Sequence, residues 1–553
     1  MTGGLMNIVA YGSENLLFNG NPKKTFFKAT YQKHTNFGLQ RFRIDYEGNR
    51  ELSLTNPTIL DFKIPKYADL LHDTYLVINL PTIYSPFHHF KTENPSGYSQ
   101  LNGHEYVPYE FRWIEELGTN MIEEIEIYSG GNTLSKYSGE YLNCLKERDY
   151  DTSKKDLWNR MTGNTPDLNN PGNTNGNINS YPNSQFTNAG LDIEPSIRGK
   201  QLYVPIDAFF CESSKTCLPL IALQFQSVSI RITLKPIMDL YTLNNIDDIP
   251  SDNGLTYRIQ PNKNVLHHQI WRFLNPPTDK YANSSLYNQN STWNADIHLV
   301  GTYVFLSEAE RAVFAAREHK ILVKQVYTHD FLDVNGTRIV DIESKDMVSN
   351  YMWRFRRSDA FLRNEWSNYT NWPYNNILPQ SLQTFIDPEM PNPSNFFVTG
   401  NIGIPGVTNN HPINLKEIML DMGITMDGVY RETVFPSGVY KYVEKYMRTS
   451  SNAKDGLYCY SFGLDSNRRT YQPSGAMNVN KFKKVFFEFN TISPPIDLSG
   501  TNVEYMCDSS GNAIAFRKNI AKLNEYSYDL RVFEERYNIL IIQGGNLGLF
   551  HAR

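Results

Sequence analysis

The chain has 553 residues and a mass of 63.8 kDa. A single core stops growing near ~250–300 residues, so about two large domains are expected. Its 53 Lys and Arg against 58 Asp and Glu leave a net charge of −5, which excludes both a basic nucleic-acid-binding surplus and a strongly acidic solvating chain.

Hydrophobic residues make up 40% and aromatics 13%, a composition that suits strands and large interfaces. The cysteines are Cys144, Cys211, Cys217, Cys459 and Cys507, odd in number and without a C-x-x-C pair. That argues against a zinc site or disulfide framework and for a reducing compartment, with Cys211 and Cys217 read as free thiols rather than a pair. No apolar run reaches the ~18–20 residues of a membrane span. The opening MTGGLMNIVAYG has neither the basic start of a secretory signal nor Gly at position two for myristoylation, and reads as a short, weakly amphipathic arm.

In chain order, Asn19-Gly20-Asn21-Pro22 makes a turn, and a period-two run follows, with Phe27, Ala29 and Tyr31 on one face. The spacing predicts a first strand there with one buried side. Further strands are expected at 51–62, 74–80 and 124–128, with a Gly130-Gly131-Asn132 turn and a short helix over 138–150 that places Tyr141, Leu142 and Leu145 together. Residues 170–188 are almost free of apolar content and read as a long exposed loop. Strands resume at 201–206 and 221–234, where Val228, Ile230, Ile232 and Leu234 alternate with polar residues.

Residues 239–292 are again polar, and the junction between the halves is placed here. A strand begins at Ala295, and Ser307 with Glu310 has capping-box form, with Ala309, Ala312, Val313 and Ala316 as the apolar stripe of a helix. Strands are expected at 321–327, 418–426, 438–446, 457–464, 483–489 and 531–542, around a long loop region over 359–406. Many short strands in two halves predict an all-β chain of two sandwiches; pattern alone leaves open jelly rolls or immunoglobulin-like sandwiches, and no residue-level repeat relates the halves.

A search for chemistry returns nothing. There is no G-x-S-x-G, P-loop, H-E-x-x-H or H-x-H pattern. His88-His89 and His267-His268 read as surface or loop histidines, and Glu123-Glu124 and Asp247-Asp248 as solvated carboxylates. No catalytic, metal-binding or cofactor-binding residues are assigned, and no cofactor is expected. Lys23-Lys24, Arg356-Arg357 and Lys483-Lys484 read as solvated faces or inter-subunit ion pairs. The sequons at Asn283, Asn290, Asn335 and Asn368 are candidate glycosylation sites, and Trp353, Trp366 and Trp372 are candidate interface anchors.

Several segments carry a family resemblance. N-G-N-P at 19–22, T-F-F-K at 25–28, Tyr31 and H-T-N-F at 34–37 resemble the N-terminal signature of the major capsid proteins of nucleocytoplasmic large DNA viruses. YSGEYLNCL (137–145), PLIALQFQ (219–226), the helix at 307–320, YSFGLDSNRRTYQPSGAMN (460–478) and RYNILIIQGGNLGLF (536–550) are similar to later family segments, in family order. Departures include Gly12-Ser13-Glu14-Asn15 for G-A-Q-D and Ser466-Asn467 for P-E.

The resemblance implies two tandem eight-stranded jelly rolls with short helices and long loop insertions. It divides the chain into an N-terminal arm (1–24), a first jelly roll (25–240), an inter-domain connection or insertion (241–294) and a second jelly roll (295–553). It implies a structural virion protein, not an enzyme, that forms homotrimers of pseudo-hexameric outline in an icosahedral capsid assembled in the host cytoplasm. Implied partners are neighbouring capsomers, minor or cement capsid proteins and internal viral membrane proteins, with no direct nucleic-acid contact. The alternatives are a minor capsid paralogue or assembly scaffold, and a carbohydrate-active β-sandwich.

Overall fold

The computed structural model describes residues 3–48, 51–89, 106–178, 180–186, 193–244, 258–278, 292–375, 415–470, 472–494, 503–507, 513–518 and 526–551. The first half holds β1 (Phe37–Ile44), β2 (Thr58–Lys63), β3 (Leu70–Asn79), β4 (Ile122–Ser129), β5 (Asn132–Tyr137), β6 (Gln201–Pro205), β7 (Val228–Leu234) and β8 (His298–Leu306). One sheet runs β1-β8-β3-β6, with the two-residue strand Leu218–Pro219 also on β3; the other runs β2-β7-β4-β5.

The second half holds β9 (His319–Val334), β10 (Thr337–Ile342), β11 (Met347–Arg357), β12 (Met419–Met426), β13 (Val429–Pro436), β14 (Leu457–Ser461), β15 (Val485–Thr491) and β16 (Tyr528–Gln543), followed by β17 (Asn546–Leu549). Its sheets run β9-β16-β11-β14, with β17 on β16, and β10-β15-β12-β13. Counted within each half, the strands stand 1-8-3-6 and 2-7-4-5 both times. The fold is a double jelly roll, and the repeat that the residues hide is one of strand order.

Alternation builds these sheets. In β7, Val228, Ile230, Ile232 and Leu234 are buried between half-buried neighbours, and Ile230 stands opposite Phe62 on β2 and Ile127 on β4. In β15, Val485, Phe487 and Phe489 do the same. Gly130 and Gly131, at φ +56° and +86°, supply the two left-handed residues of the β4–β5 hairpin turn, and Asp427-Gly428 the pair between β12 and β13.

Four expectations are corrected. The strand at 298–306, assigned by sequence to the second jelly roll, is β8 and completes the first: its residues pair with β1 from Phe37↔Leu306 to Ile44↔Leu299, and with β3 on the other side. The strands on either side of 241–294, β7 and β8, therefore belong to one sandwich, and the chain crosses between sandwiches after Leu306. The crossing helix, α3 (Glu308–Ala316), forms as expected, but Ser307 makes no side-chain cap and the Ala309/Ala312/Val313/Ala316 stripe is not buried.

The second correction concerns 25–36. No strand forms there, and Phe27 is 98% exposed, because no strand among the described residues lies alongside. Third, 438–446 is not a strand: Val439–Val443 is π-helical and runs into α-helical Glu444–Arg448. Aromatic and β-branched residues invite a strand, but Tyr440, Lys441 and Lys445 turn inward at helical spacing. Lys441 pairs with Glu417 and with Asp455, and Lys445 donates to the Leu457 carbonyl at 2.8 Å. Fourth, the polar loop at 170–188 is partly buried over its described residues, including Pro171, Gly172 and Ser184; Ser184 N donates to the Ser85 carbonyl at 3.0 Å.

Candidate functional site at the seam between the sandwiches

The side chains that depart most from an ordinary sandwich interior lie where the two halves meet. The helix α1 (Gly139–Asp149), which α2 (Thr152–Thr162) follows, starts at Ser138, whose hydroxyl accepts from Tyr141 N at 3.2 Å. Gly139 is pressed onto the preceding turn, where a Cβ would stand 1.9 Å from the Thr119 carbonyl oxygen. So seated, α1 presents Glu140, Tyr141, Cys144 and Arg148, all buried, to the second sandwich.

Each of these meets a residue far along the chain. Glu140 accepts from Arg354 Nε and Nη2 at 2.6 and 3.0 Å and from Arg531 Nη1 at 2.6 Å. Tyr141 donates to Glu535 Oε1 at 2.6 Å and accepts from Arg468 Nη1 at 3.0 Å. Arg148 pairs with Glu535 at 3.0 Å and with Asp149 at 2.7 Å. Arg468 pairs with Glu212, Gln325 donates to the Leu134 carbonyl at 2.8 Å, and Asn120 donates to Ser367 at 2.7 Å. Apolar contacts follow the same path: Phe533, Leu540, Ile542, Met352 and Leu457 belong to the core cluster of the first sandwich, while the second keeps a further cluster around Trp353 and Phe487.

The electrostatics follow from burial and pairing. Burial pushes the Glu140 carboxyl up, but Arg354, Arg356 and Arg531 together hold it well below the usual carboxylate range. Burial likewise raises Glu535, and Arg148, Lys324 and Arg468 override it and bring it down to about 2. Such pairs contribute little over an apolar replacement, yet removing one partner strands a buried charge. They fix how the sandwiches sit against each other. Among the described residues the arrangement is a set of paired charges and hydrogen bonds, and it holds two bodies as one.

Outward, three surfaces are apolar and uncovered. Residues 3–36 are exposed apart from half-buried Asn15, and their hydrogen bonds stay within the segment. Next, Phe37 and Leu39 on β1, Phe305 on β8 and Val313 on α3 are exposed. On the second sandwich, Val429, Tyr430 and Val434 of the edge strand β13 and Tyr442, Tyr446 and Met447 of the following helix are exposed, Tyr446 by 88%.

The tryptophans and charge pairs singled out from sequence lie deeper than expected. Trp353, taken as an interface anchor, is wholly buried, its ring 5.5 Å from Phe487 and 6.0 Å from Tyr458. Trp366 packs in the seam and donates to the Asp239 carbonyl at 2.9 Å, and Trp372 lies half-buried under Lys416. Arg356-Arg357 is not on a solvated face: Arg357 is buried against Asp359 at 2.8 Å, and Arg356 lies in the seam. His268 is buried beside His267, ring centres 4.7 Å apart, rather than on the surface.

Asn335 is exposed in the β9–β10 turn. Asn368 is 5% exposed, its amide donating to the Trp372 carbonyl at 2.8 Å and its oxygen accepting from Thr370 N, so it has no room for a glycan. Asn283, Asn290 and Asp247-Asp248 lie outside the described residues. Cys144, Cys211, Cys217 and Cys459 are free thiols. The seam residues escaped the sequence reading. The signal was present in Glu534-Glu535-Arg536, three consecutive charges in the middle of a sixteen-residue strand between Val532-Phe533 and the apolar run Ile539–Ile542, all three buried.

Two family descriptions match the chain: major capsid protein N-terminus over residues 25–306, and large eukaryotic DNA virus major capsid protein over 310–548. The major capsid protein of Phaeocystis pouchetii virus is 26% identical over 328 residues, 59% of this chain and 53% of that protein, so the chain spans about half of its length. The major capsid protein of Paramecium bursaria Chlorella virus 1 is 23% identical over 561 residues, 100% of both chains. Among solved structures, a quasi-atomic structure of the PBCV-1 virus capsid matches with a TM-score of 0.59 at 17% identity, covering 96% of this chain and 100% of that one. At that identity the likeness speaks to fold, and the fold it matches is the pair of jelly rolls described above.

Proposed function

The chain belongs to the family of large eukaryotic DNA virus major capsid proteins, and from that premise we propose that it is a structural shell protein whose work is self-assembly. It acts as a homotrimer, each chain supplying two upright sandwiches, so that three chains present six similar columns. Trimers then tile the virion capsid against neighbouring trimers, minor capsid proteins and internal viral membrane proteins.

The observation that carries this reading is the repeat of one strand order in two sandwiches joined through a buried seam. A pair held in one fixed relation gives a threefold object a near-sixfold outline; a flexible pair does not. The uncovered apolar surfaces supply contacts. The β13 edge and the helix beside it suit a head-to-tail contact that closes at three. The 3–36 arm, with β1 and α3, suits contacts beneath the shell. Glycan addition at exposed Asn335 is compatible with this arrangement.

Light scattering on the purified full chain tests the proposal. A mass near three times 63.8 kDa is expected. Tyr446→Asp is expected to reduce it toward the single-chain mass while leaving the single chain folded, read from an unchanged circular-dichroism spectrum. A wild-type chain that stays single at high micromolar concentration overturns the trimer.

A further inference from the structure

Between the sandwiches, beside the seam, lies a cleft of about 1060 Å³, walled by β4 and β5 on one side and by β9, Arg356, Trp366 and Arg531 on the other. Its inner end holds an imbalance of charge. Lys235 follows β7, and its ammonium stands 4.5 Å from the centre of the Trp366 ring. Arg356, on β11, places its guanidinium 5.5 Å from the same ring. The ammonium has no hydrogen-bond acceptor or carboxylate partner among the described residues. Arg356 makes two long contacts from one nitrogen, to Glu140 at 3.4 Å and to the Trp366 carbonyl at 3.3 Å, and its Nε and Nη2 have no acceptor among the described residues.

Glu140 cannot neutralise the pair. Its two oxygens are already taken at short distance by Arg354 and Arg531. One carboxylate thus serves three guanidiniums, and Lys235 feels Glu140, Asp239 and Glu123 only at longer range, without a hydrogen bond or ion pair to any of them among the described residues. The titration behaviour agrees: burial, then the Arg356 charge, brings Lys235 down to about 8, and burial, then Arg354, brings Arg356 down to about 10. Two half-compensated cations sharing one indole have an unfavourable environment that an anion between them would relieve.

We propose that the inner end of this cleft binds a compact oxyanion, a carboxylate or phosphate group held by the Lys235 ammonium and the Arg356 guanidinium. The planar fork of Arg356 favours oxygen ligands over a spherical ion. The outer wall argues for one group rather than a polymer. Glu123, Glu124 and Glu126 also line the cleft; Lys136 is tied to Glu124 at 2.9 Å and Arg231 to Glu126 at 3.2 Å, so exposed Glu123 adds negative charge and no continuous basic track follows the wall for a nucleic acid or an acidic tract. The volume admits a side chain together with a few residues of its peptide. The site lies within one chain and is independent of whether the chain forms trimers.

The test is titration calorimetry on the full chain with two probes at equal ionic strength, inorganic phosphate and the peptide acetyl-Lys-Glu-Lys-amide. Saturable binding is expected, weakened about tenfold or more by Lys235→Gln and by Arg356→Gln and unaltered by Lys136→Gln on the rim. At pH 8, binding is expected to take up protons, seen as a heat that varies with the buffer, because an anion restores the Lys235 charge. Phosphate saturating alone identifies a free anion as the ligand, and tighter peptide binding identifies an acidic side chain of a partner; either supports the site. Unfolding temperatures of the variants at or above wild type show that lost binding is not lost structure. Absence of saturable binding by both probes, or equal binding by wild type and Lys235→Gln, overturns the proposal.

Discussion

Glu140 of the first sandwich and Arg354 of the second, 214 residues apart in the chain, meet as a bidentate pair with oxygen–nitrogen distances of 2.6 and 3.0 Å. Both are buried, and Arg531 and Arg356 approach the same carboxylate. Glu140→Ala leaves these guanidiniums in a dry site without their anion. A loss of about 3–5 kcal/mol is expected by denaturant unfolding. Combining Glu140→Gln with Arg354→Met is expected to recover part of the loss, because the two sites are in contact and their effects do not add.

Acid sensitivity follows from the same seam. Glu535 titrates at about 2 in the folded chain, against about 4.3 for an unperturbed glutamate. A folded value below the unfolded one contributes stability that is full above the unfolded value and is lost as pH falls through the folded one. The unfolding temperature is therefore expected to hold above about pH 5 and to drop progressively toward pH 2. Glu535→Gln is expected to lower stability at pH 7 and to flatten that acid limb, both read from thermal melts across pH.

Lys235 has the opposite sign. Its folded value near 8 lies below the usual lysine value of about 10.4, so the folded chain binds its proton less readily. The resulting cost is complete below pH 8 and disappears as pH rises past the unfolded value. Lys235→Met is expected to stabilise the chain by about 1–3 kcal/mol at pH 7. The gain is expected to shrink toward zero above pH 10. A site that gives up stability and gains when its lysine is removed behaves as a binding site does.

Trp353 and Tyr446 separate core from contact surface. Trp353 has no exposed area and packs on Phe487, Tyr440 and Tyr458, so Trp353→Ala is expected to cost about 3–5 kcal/mol. Tyr446→Asp touches an exposed residue and is expected to change stability by less than about 0.5 kcal/mol while changing the solution mass.

Deleting residues 1–36 is expected to leave the melting temperature of the remaining chain within about 1 °C, because none of the described side chains at 3–36 is buried against the sandwiches. Particle formation is expected to fail or slow, which turbidity and electron microscopy read directly.

Strands buried on one face were legible from alternation, and β4, β7 and β15 appear where the pattern puts them. Alternation reports an apolar face but not what covers it. Phe27, Ala29 and Tyr31 alternate as β7 does, yet all three are exposed and no described strand lies against them. Val439–Arg448 failed for another reason: lysines that point inward look like solvent-facing residues until Glu417 and Asp455 are known to lie nearby. The border between sandwiches was misplaced because a polar insertion resembles a linker, and the partners that claim β8 for the first sandwich lie more than 200 residues earlier. The seam was hidden for the same reason. Glu140, Arg354 and Glu535 read as surface charges until folding brings them together.

The charged seam also has a mechanical consequence. Greasy faces slide over one another at little cost, since each apolar side chain that leaves one neighbour soon meets another much like it. Here a slip of one residue along β16, about 3.3 Å, would pull Glu535 from Arg148 and Arg531 from Glu140 at once, leaving ions stranded in a dry interior. The two halves are therefore keyed like a dowelled joint. Any sideways load applied to one sandwich and resisted at the other crosses this joint, and the joint resists shear in a way that tight packing alone does not.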